Sequence, residues 1–286
     1  MRNRCKFAQI PVSLLVLLCL AVSPLMAQRT RLSEEEMAIK ELKELLSEYP
    51  GDDVTHYQLA VLLSRQDERE SALNHFEAAL ELNPGAPIHG NSYRLACIWW
   101  HEFDRCIEFL EGLVERNHTS INARFHLALA YVDKMPWYTL GMVQQGQQSN
   151  LSMDQLTLII EQDSTYWGGW YGRGMNHLHW PRMMRHAPES IADFKQALKL
   201  QNELNLSQPK AYFELTYIGL GDAYVKDLKH AEARRVWQQG AELFPRSAKL
   251  RKRLSFIDDE ELEKFVKVTR SLKKPIDTDM WMIWAE

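Results

Sequence analysis

The stretch Glu214–Ser247, ELTYIGLGDAYVKDLKHAEARRVWQQGAELFPRS, decides the fold. Counted from Glu214, Tyr217, Leu220, Gly221, Tyr224, Ala233, Trp237, Gly240 and Pro245 stand at positions 4, 7, 8, 11, 20, 24, 27 and 32. Small residues at 8, 20 and 27 let the two helices of a hairpin, and the next hairpin, approach closely. Larger residues at 4, 7, 11 and 24 fill the spaces between them, and the proline at 32 stops the second helix. One such hairpin cannot bury its own apolar face, so others are expected.

The same 34-residue frame persists upstream. Counting from 53, Leu59, Ala60, Ala72, Phe76, Ala79 and Pro84 fall at 7, 8, 20, 24, 27 and 32. One period earlier only a second helix fits, with Ala38, Leu42, Leu45 and Pro50, so residues 28–52 read as an N-terminal capping helix opened by Ser33 and Glu36. Residues 87–120 keep Cys106, Leu110 and Leu113 in the second helix but carry Gly90 and Arg94 at positions 4 and 8, a degenerate repeat. The frame at 121 places Arg124, Leu127, Ala128 and Tyr131, and regains Ser152, Leu156 and Ile159 only with 12 residues inserted within 134–150. The frame at 167 places Trp170, Arg173, Gly174 and His177, with four extra residues in HLHWPRMMRHAPE before Ser190, Phe194 and Ala197. The reading is thus five repeats, 53–86, 87–120, 121–166, 167–204 and 214–247. C-terminal capping helices near 248–257 and 259–271 and an apolar tail complete 248–286.

On these residues the chain resembles the tetratricopeptide-repeat (TPR) family over roughly 33–257. The resemblance implies an all-α, right-handed superhelical solenoid whose concave surface, lined by first helices, binds a peptide or helix of another protein. Repeat positions 2, 5, 9 and 12 face that groove in the family. Here position 5 holds Tyr57, Asn91, Phe125, Tyr171 and Ile218, and position 9 holds Val61, Leu95, Leu129, Met175 and Asp222. This is largely an aromatic and aliphatic stripe rather than a Lys/Asn clamp for a C-terminal carboxylate. An apolar extended or helical segment is the expected ligand; the alternative is that the stripe packs on its own neighbours. The interruptions at 134–150 and 178–187 are where specificity is expected.

Arg2, Arg4 and Lys6 precede the apolar run Val12–Val22, and Leu25-Met26-Ala27 offers a cleavage site, so residues 1–27 read as an export signal. The run is short for a membrane span; an uncleaved anchor over Phe7–Ala27 is the alternative. Without residues 1–27 the chain keeps 31 Lys+Arg against 38 Asp+Glu, a formal net of −7, which disfavours nucleic acid as a partner. Cys97 and Cys106 then remain, as a disulfide or, the preferred reading, as two small buried apolar residues.

His177, His179, Met183 and His186 gather imidazole and thioether groups suited to copper, but at no strong metal-binding spacing. No nucleophile elbow, zinc-protease motif or phosphate-cradling loop is present, and no cofactor is called for. The tail Met280-Trp281-Met282-Ile283-Trp284 is expected to fold back onto the last hairpin, or else to dock on another chain or an envelope surface. The expected function is a non-catalytic, periplasmic or secreted adaptor holding a protein segment. The alternative is an envelope protein binding a metal or small ligand through the fourth repeat.

Overall fold

The structure is a computed structural model in which residues 34–137, 140–204, 206–271 and 276–284 are described. Residues 1–27, read as an export signal, therefore lie outside the described residues. Among these residues there are fourteen α-helices and no strand. They are α1 (34–48), α2 (Asp53–Arg65), α3 (Arg69–Leu82), α4 (Pro87–Trp100), α5 (Phe103–Arg116), α6 (Ile121–Trp137) and α7 (Met142–Gln162). After these come α8 (Trp167–His179), α9 (Ala187–Glu203), α10 (Glu214–Lys226), α11 (His230–Leu243), α12 (Ala248–Leu254), α13 (Asp259–Thr269) and α14 (Trp281–Trp284). No described helix is long and apolar enough to cross a membrane.

The chain divides into two compact units at His75 and Phe76, within α3. In the first, Asp52 caps α2, its carboxylate accepting the Val54 N–H at 3.2 Å. Leu59, Ala60, Leu63, Ala72 and Leu73 form its buried side. The second unit is built from the hairpins α4–α5, α6–α7, α8–α9 and α10–α11, each packing on the next. Their first helices open at Pro87, Ile121, Trp167 and Glu214, the residues where the 34-residue frames begin.

The small positions of the last hairpin do what their spacing requires. A Cβ on Gly221 would lie 2.1 Å from Trp237 Nε1, and one on Gly240 would lie 2.7 Å from Tyr217 Cβ. Any larger residue would hold α10 and α11 apart and open the space that the fully buried Trp237 fills.

Three of the turns between paired helices share one conformation. Asp67, His101 and Leu228, each at position 15 of its frame, are left-handed with φ 59°. In the fourth hairpin the left-handed residue is Arg185, four positions later, so the extra residues there enter before the turn closes. None is glycine, so each stores about 1–2 kcal/mol of strain.

The 12-residue insertion in the third hairpin does not form a long loop. It extends α6 to Trp137 and starts α7 at Met142, so α6 grows by about one turn and α7 by about two. Two capping helices are shorter than their sequence pattern: α12 stops at Leu254 and α13 at Thr269. Asp258 caps α13, accepting the Glu261 N–H at 2.8 Å, and three acidic residues follow in its first turn.

Candidate functional site

The groove side of the second unit is occupied by the chain itself. Asp222 on α10, at position 9 of its repeat, is wholly buried. Arg253 of α12 reaches it with two hydrogen bonds at 2.6 and 2.7 Å, and Arg270, just past α13, with one at 2.7 Å. Burial alone would raise the Asp222 pKa, but the two guanidinium groups outweigh it and hold the carboxyl below its ordinary range. This triad draws α13 against α10, where Leu262 and Val266 join the core that contains Ile218.

Residues 276–284 then run back across α8, α6 and α4. Asn91 on α4 donates its amide N–H to the Asp279 carboxylate at 2.8 Å and accepts the Met280 N–H at 3.2 Å. Arg94, one turn on, is fully buried; its Nε donates to Asp133 of α6 at 2.9 Å and its Nη2 to the Thr278 carbonyl at 3.1 Å. The Thr278 hydroxyl donates to the other Asp133 oxygen. Burial raises the Asp133 pKa, with Arg94 pulling the other way. Met280 is buried in the main core cluster, and the Trp284 ring meets the edge of Phe125 at 6.1 Å and His126 at 5.1 Å. The end helix α14 packs on α4 and on the short turn Ala211–Phe213.

The tail therefore packs on its own chain, but not on the α10–α11 hairpin as the sequence suggests. The last hairpin is already covered by α12 and α13, which leaves the exposed groove side of α4, α6 and α8 as the apolar surface in reach. Of the predicted groove residues, Phe125, Leu129, Tyr171 and Ile218 are buried within this core, and Leu95 and Met175 are half-buried. In the first unit, Tyr57 and Val61 instead line an open cleft of about 510 Å³ with Ala38, Leu42 and Leu45.

Asn91 stands at groove position 5 of the second repeat, whereas Arg94 and Asp133, at positions 8 and 13 of their frames, are residues that the groove pattern passes over. The signal for them lay in the departures of the second repeat. Gly90 stands at a large position because His126 fills its space: a Cβ there would sit 2.1 Å from the imidazole. Arg94 stands at a small position because Asp133, a repeat further on, is buried opposite it.

The two interruptions meet. Ser149, in the extended part of α7, accepts the Trp180 indole N–H at 2.9 Å and donates to Asn176, whose amide returns to the Ser149 carbonyl at 3.2 Å. Together with the end of α10 and α13 they enclose a cavity of about 550 Å³, bordered by Met142, Trp180, Met184, Lys226 and Val266. Lys226 donates to the Leu178 and Trp180 carbonyls; burial and the nearby Arg270 push its amine down to about 8.

The His/Met cluster does not converge. His177 and His186 stack with Nδ1 atoms 3.1 Å apart, His186 also stacks on Trp180, and His179 is buried with Nδ1 on the Met175 carbonyl at 2.8 Å. Met183 is 81% exposed and turned to solvent. Among the described residues, no group of three or more His, Cys, Asp or Glu side chains is arranged to hold a metal ion. Cys97 and Cys106 are free and buried; burial first, and the neighbouring Cys97 second, push the Cys106 thiol pKa up, which suits packing rather than reactivity.

No family profile matches the chain, and no curated protein matches it. Solved structures do resemble it. TTC0263, a thermophilic TPR protein of Thermus thermophilus, superposes with a TM-score of 0.52 at 19% identity, covering 71% of this chain and 97% of that one. PilW, a type IV pilus biogenesis factor, gives 0.52 at 14% identity, with 81% and 96% covered. Yeast Tom70 gives 0.52 at 14% identity, with 86% of this chain and 45% of Tom70 covered. The fold is that of tetratricopeptide-repeat proteins.

Proposed function

We propose that this protein is a non-catalytic, exported TPR scaffold that holds an extended segment of a protein partner on the groove side of α4, α6 and α8. One observation carries the reading: that surface already receives an extended segment, 276–280, through both backbone and side-chain hydrogen bonds. With residues 1–27 read as an export signal, the partner lies in the periplasm or outside the cell. The solved neighbours support the fold on which this rests, and the step from fold to function is the groove's own chemistry.

The test is crosslinking and mass spectrometry on the native envelope fraction, comparing the native chain with Tyr171→Ala/Met175→Ala. A protein captured by the first and lost from the second supports the reading. Equal capture by a folded variant removes it. A second reading, a small-molecule ligand, is favoured by the cavity of about 550 Å³ where the two interruptions meet. A ligand screen by thermal shift with Trp180→Ala as the control tests it.

A further inference from the structure

Residues 276–284 occupy the groove by a short set of anchors. Thr278 and Met280 are buried and Ile283 and Trp284 half-buried, while Asp277, Asp279, Trp281 and Met282 face solvent. The fit is incomplete. A cavity of about 510 Å³ stays open between this segment, Tyr171, Ile218, Phe265 and Arg270. Arg94, fully buried, leaves Nη1 without an acceptor, and neither ring nitrogen of His126 makes a hydrogen bond of good geometry. Buried donors left unmade are costly, and a core that evolved only to be closed would fill both the space and the donors.

We infer that residues 276–284 are a displaceable internal ligand, and that the partner's segment shares their pattern. That pattern is an acidic residue followed at once by Met or a similar flexible apolar side chain, with an aromatic four positions further on. Each element answers a feature of the groove. Asn91 reads the acidic side chain and the backbone N–H that follows it. The core around Leu129 and Tyr171 takes the apolar side chain. Phe125 and His126 take the aromatic ring. A partner competes with a tethered segment whose effective concentration is roughly millimolar, so the tail sets a threshold that only a well-matched or abundant partner crosses. The inference rests on the groove reading above and adds the identity of the competitor and the chemistry of the partner.

The probe is a labelled peptide of residues 276–286, measured by fluorescence anisotropy against two full chains. One is native; in the other, Met280→Asp/Trp284→Ala releases the tail. The released chain is expected to bind the peptide at least about tenfold tighter than the native chain. Asn91→Ala in the released chain should weaken binding about fivefold. Random peptides displayed on phage and selected on the released chain should recover the acidic–Met–x–x–x–aromatic pattern. Peptides selected without that pattern would overturn this inference and leave the groove reading standing. A folded released chain that selects no peptide would overturn both.

Should the released chain fail to fold, hydrogen exchange on the native chain decides. The Met280 amide is expected to exchange at least about 100-fold faster than amides in the middle of α10, as local opening requires. Exchange as slow as in α10 would make the tail a permanent part of the core and end the proposal.

Discussion

The side-chain oxygen of Asn91 accepts the backbone N–H of Met280 at 3.2 Å, tying the first helix of the second repeat to a residue 189 positions later. A carboxamide suits this task because it donates and accepts at once, and here its N–H goes to Asp279. Both polar groups of the Asn91 side chain are thereby satisfied from within the chain.

The Arg94–Asp133 pair beneath that contact is buried at both ends. Removing one partner leaves the other charged and desolvated, so Arg94→Met is expected to cost about 3–5 kcal/mol. Arg94→Met/Asp133→Leu, which removes both charges, should recover most of it. Urea unfolding of the two single and the double variants gives the coupling directly, and additive losses would contradict the pairing.

Asp222→Ala strips two guanidinium groups of their common acceptor. A loss of about 3–5 kcal/mol is expected, concentrated in α12 and α13. Hydrogen exchange should show those helices opening before α6 and α7. Uniform loss of protection across the second unit would mean the triad does not anchor the caps.

Gly90→Ala drives a methyl into the His126 ring and is expected to cost about 1–3 kcal/mol by overpacking. His126→Ala in the same chain should relieve the clash. A double variant more stable than Gly90→Ala alone establishes that the glycine exists to admit the imidazole.

Acid should loosen the second unit before its carboxylates titrate. His126 is buried and held well below its ordinary pKa, and His179 is pushed down to about 3, in each case by burial first and a neighbouring arginine second. Their folded-state pKa values lie below the unfolded value of 6.5, so the unfolded chain takes up the protons and stability falls as pH drops below about 6.5. Between pH 8 and pH 5, His179 alone accounts for about 2 kcal/mol. Asp133, its pKa raised by burial, acts in the opposite sense, but only as its carboxyl protonates. Denaturant midpoints measured across that range, against His179→Gln, check the sign and the size.

What the sequence made legible follows the period. Gly221, Gly240 and Trp237 announced a hairpin because their packing is local to it, and the frame carried to Asp53, Pro87, Ile121, Trp167 and Glu214 as the openings of first helices. The stripe at Phe125, Leu129, Tyr171 and Ile218 was readable as a surface needing cover. What covers it was not, because a 34-residue pattern fixes which side a residue faces and says nothing of which distant segment arrives there. The tail's route depends on α12 and α13 turning the chain back over α10, and that depends on Asp222, whose arginine partners are 31 and 48 residues away. The 12 inserted residues were legible only as a break in the register, which does not say that they lengthen two helices. Arg94 and Gly90 read as degeneracy one at a time; only their partners in the next repeat, Asp133 and His126, make them sensible.

The most direct measurement replaces Trp284 with the photoreactive residue p-benzoylphenylalanine and maps the products of illumination by peptide mass spectrometry. If the tail lies along its own groove, the adduct forms within one molecule and falls on the α6 peptide containing Phe125 and His126. Adducts confined to α11 and α12, or formed only between molecules, would contradict that placement.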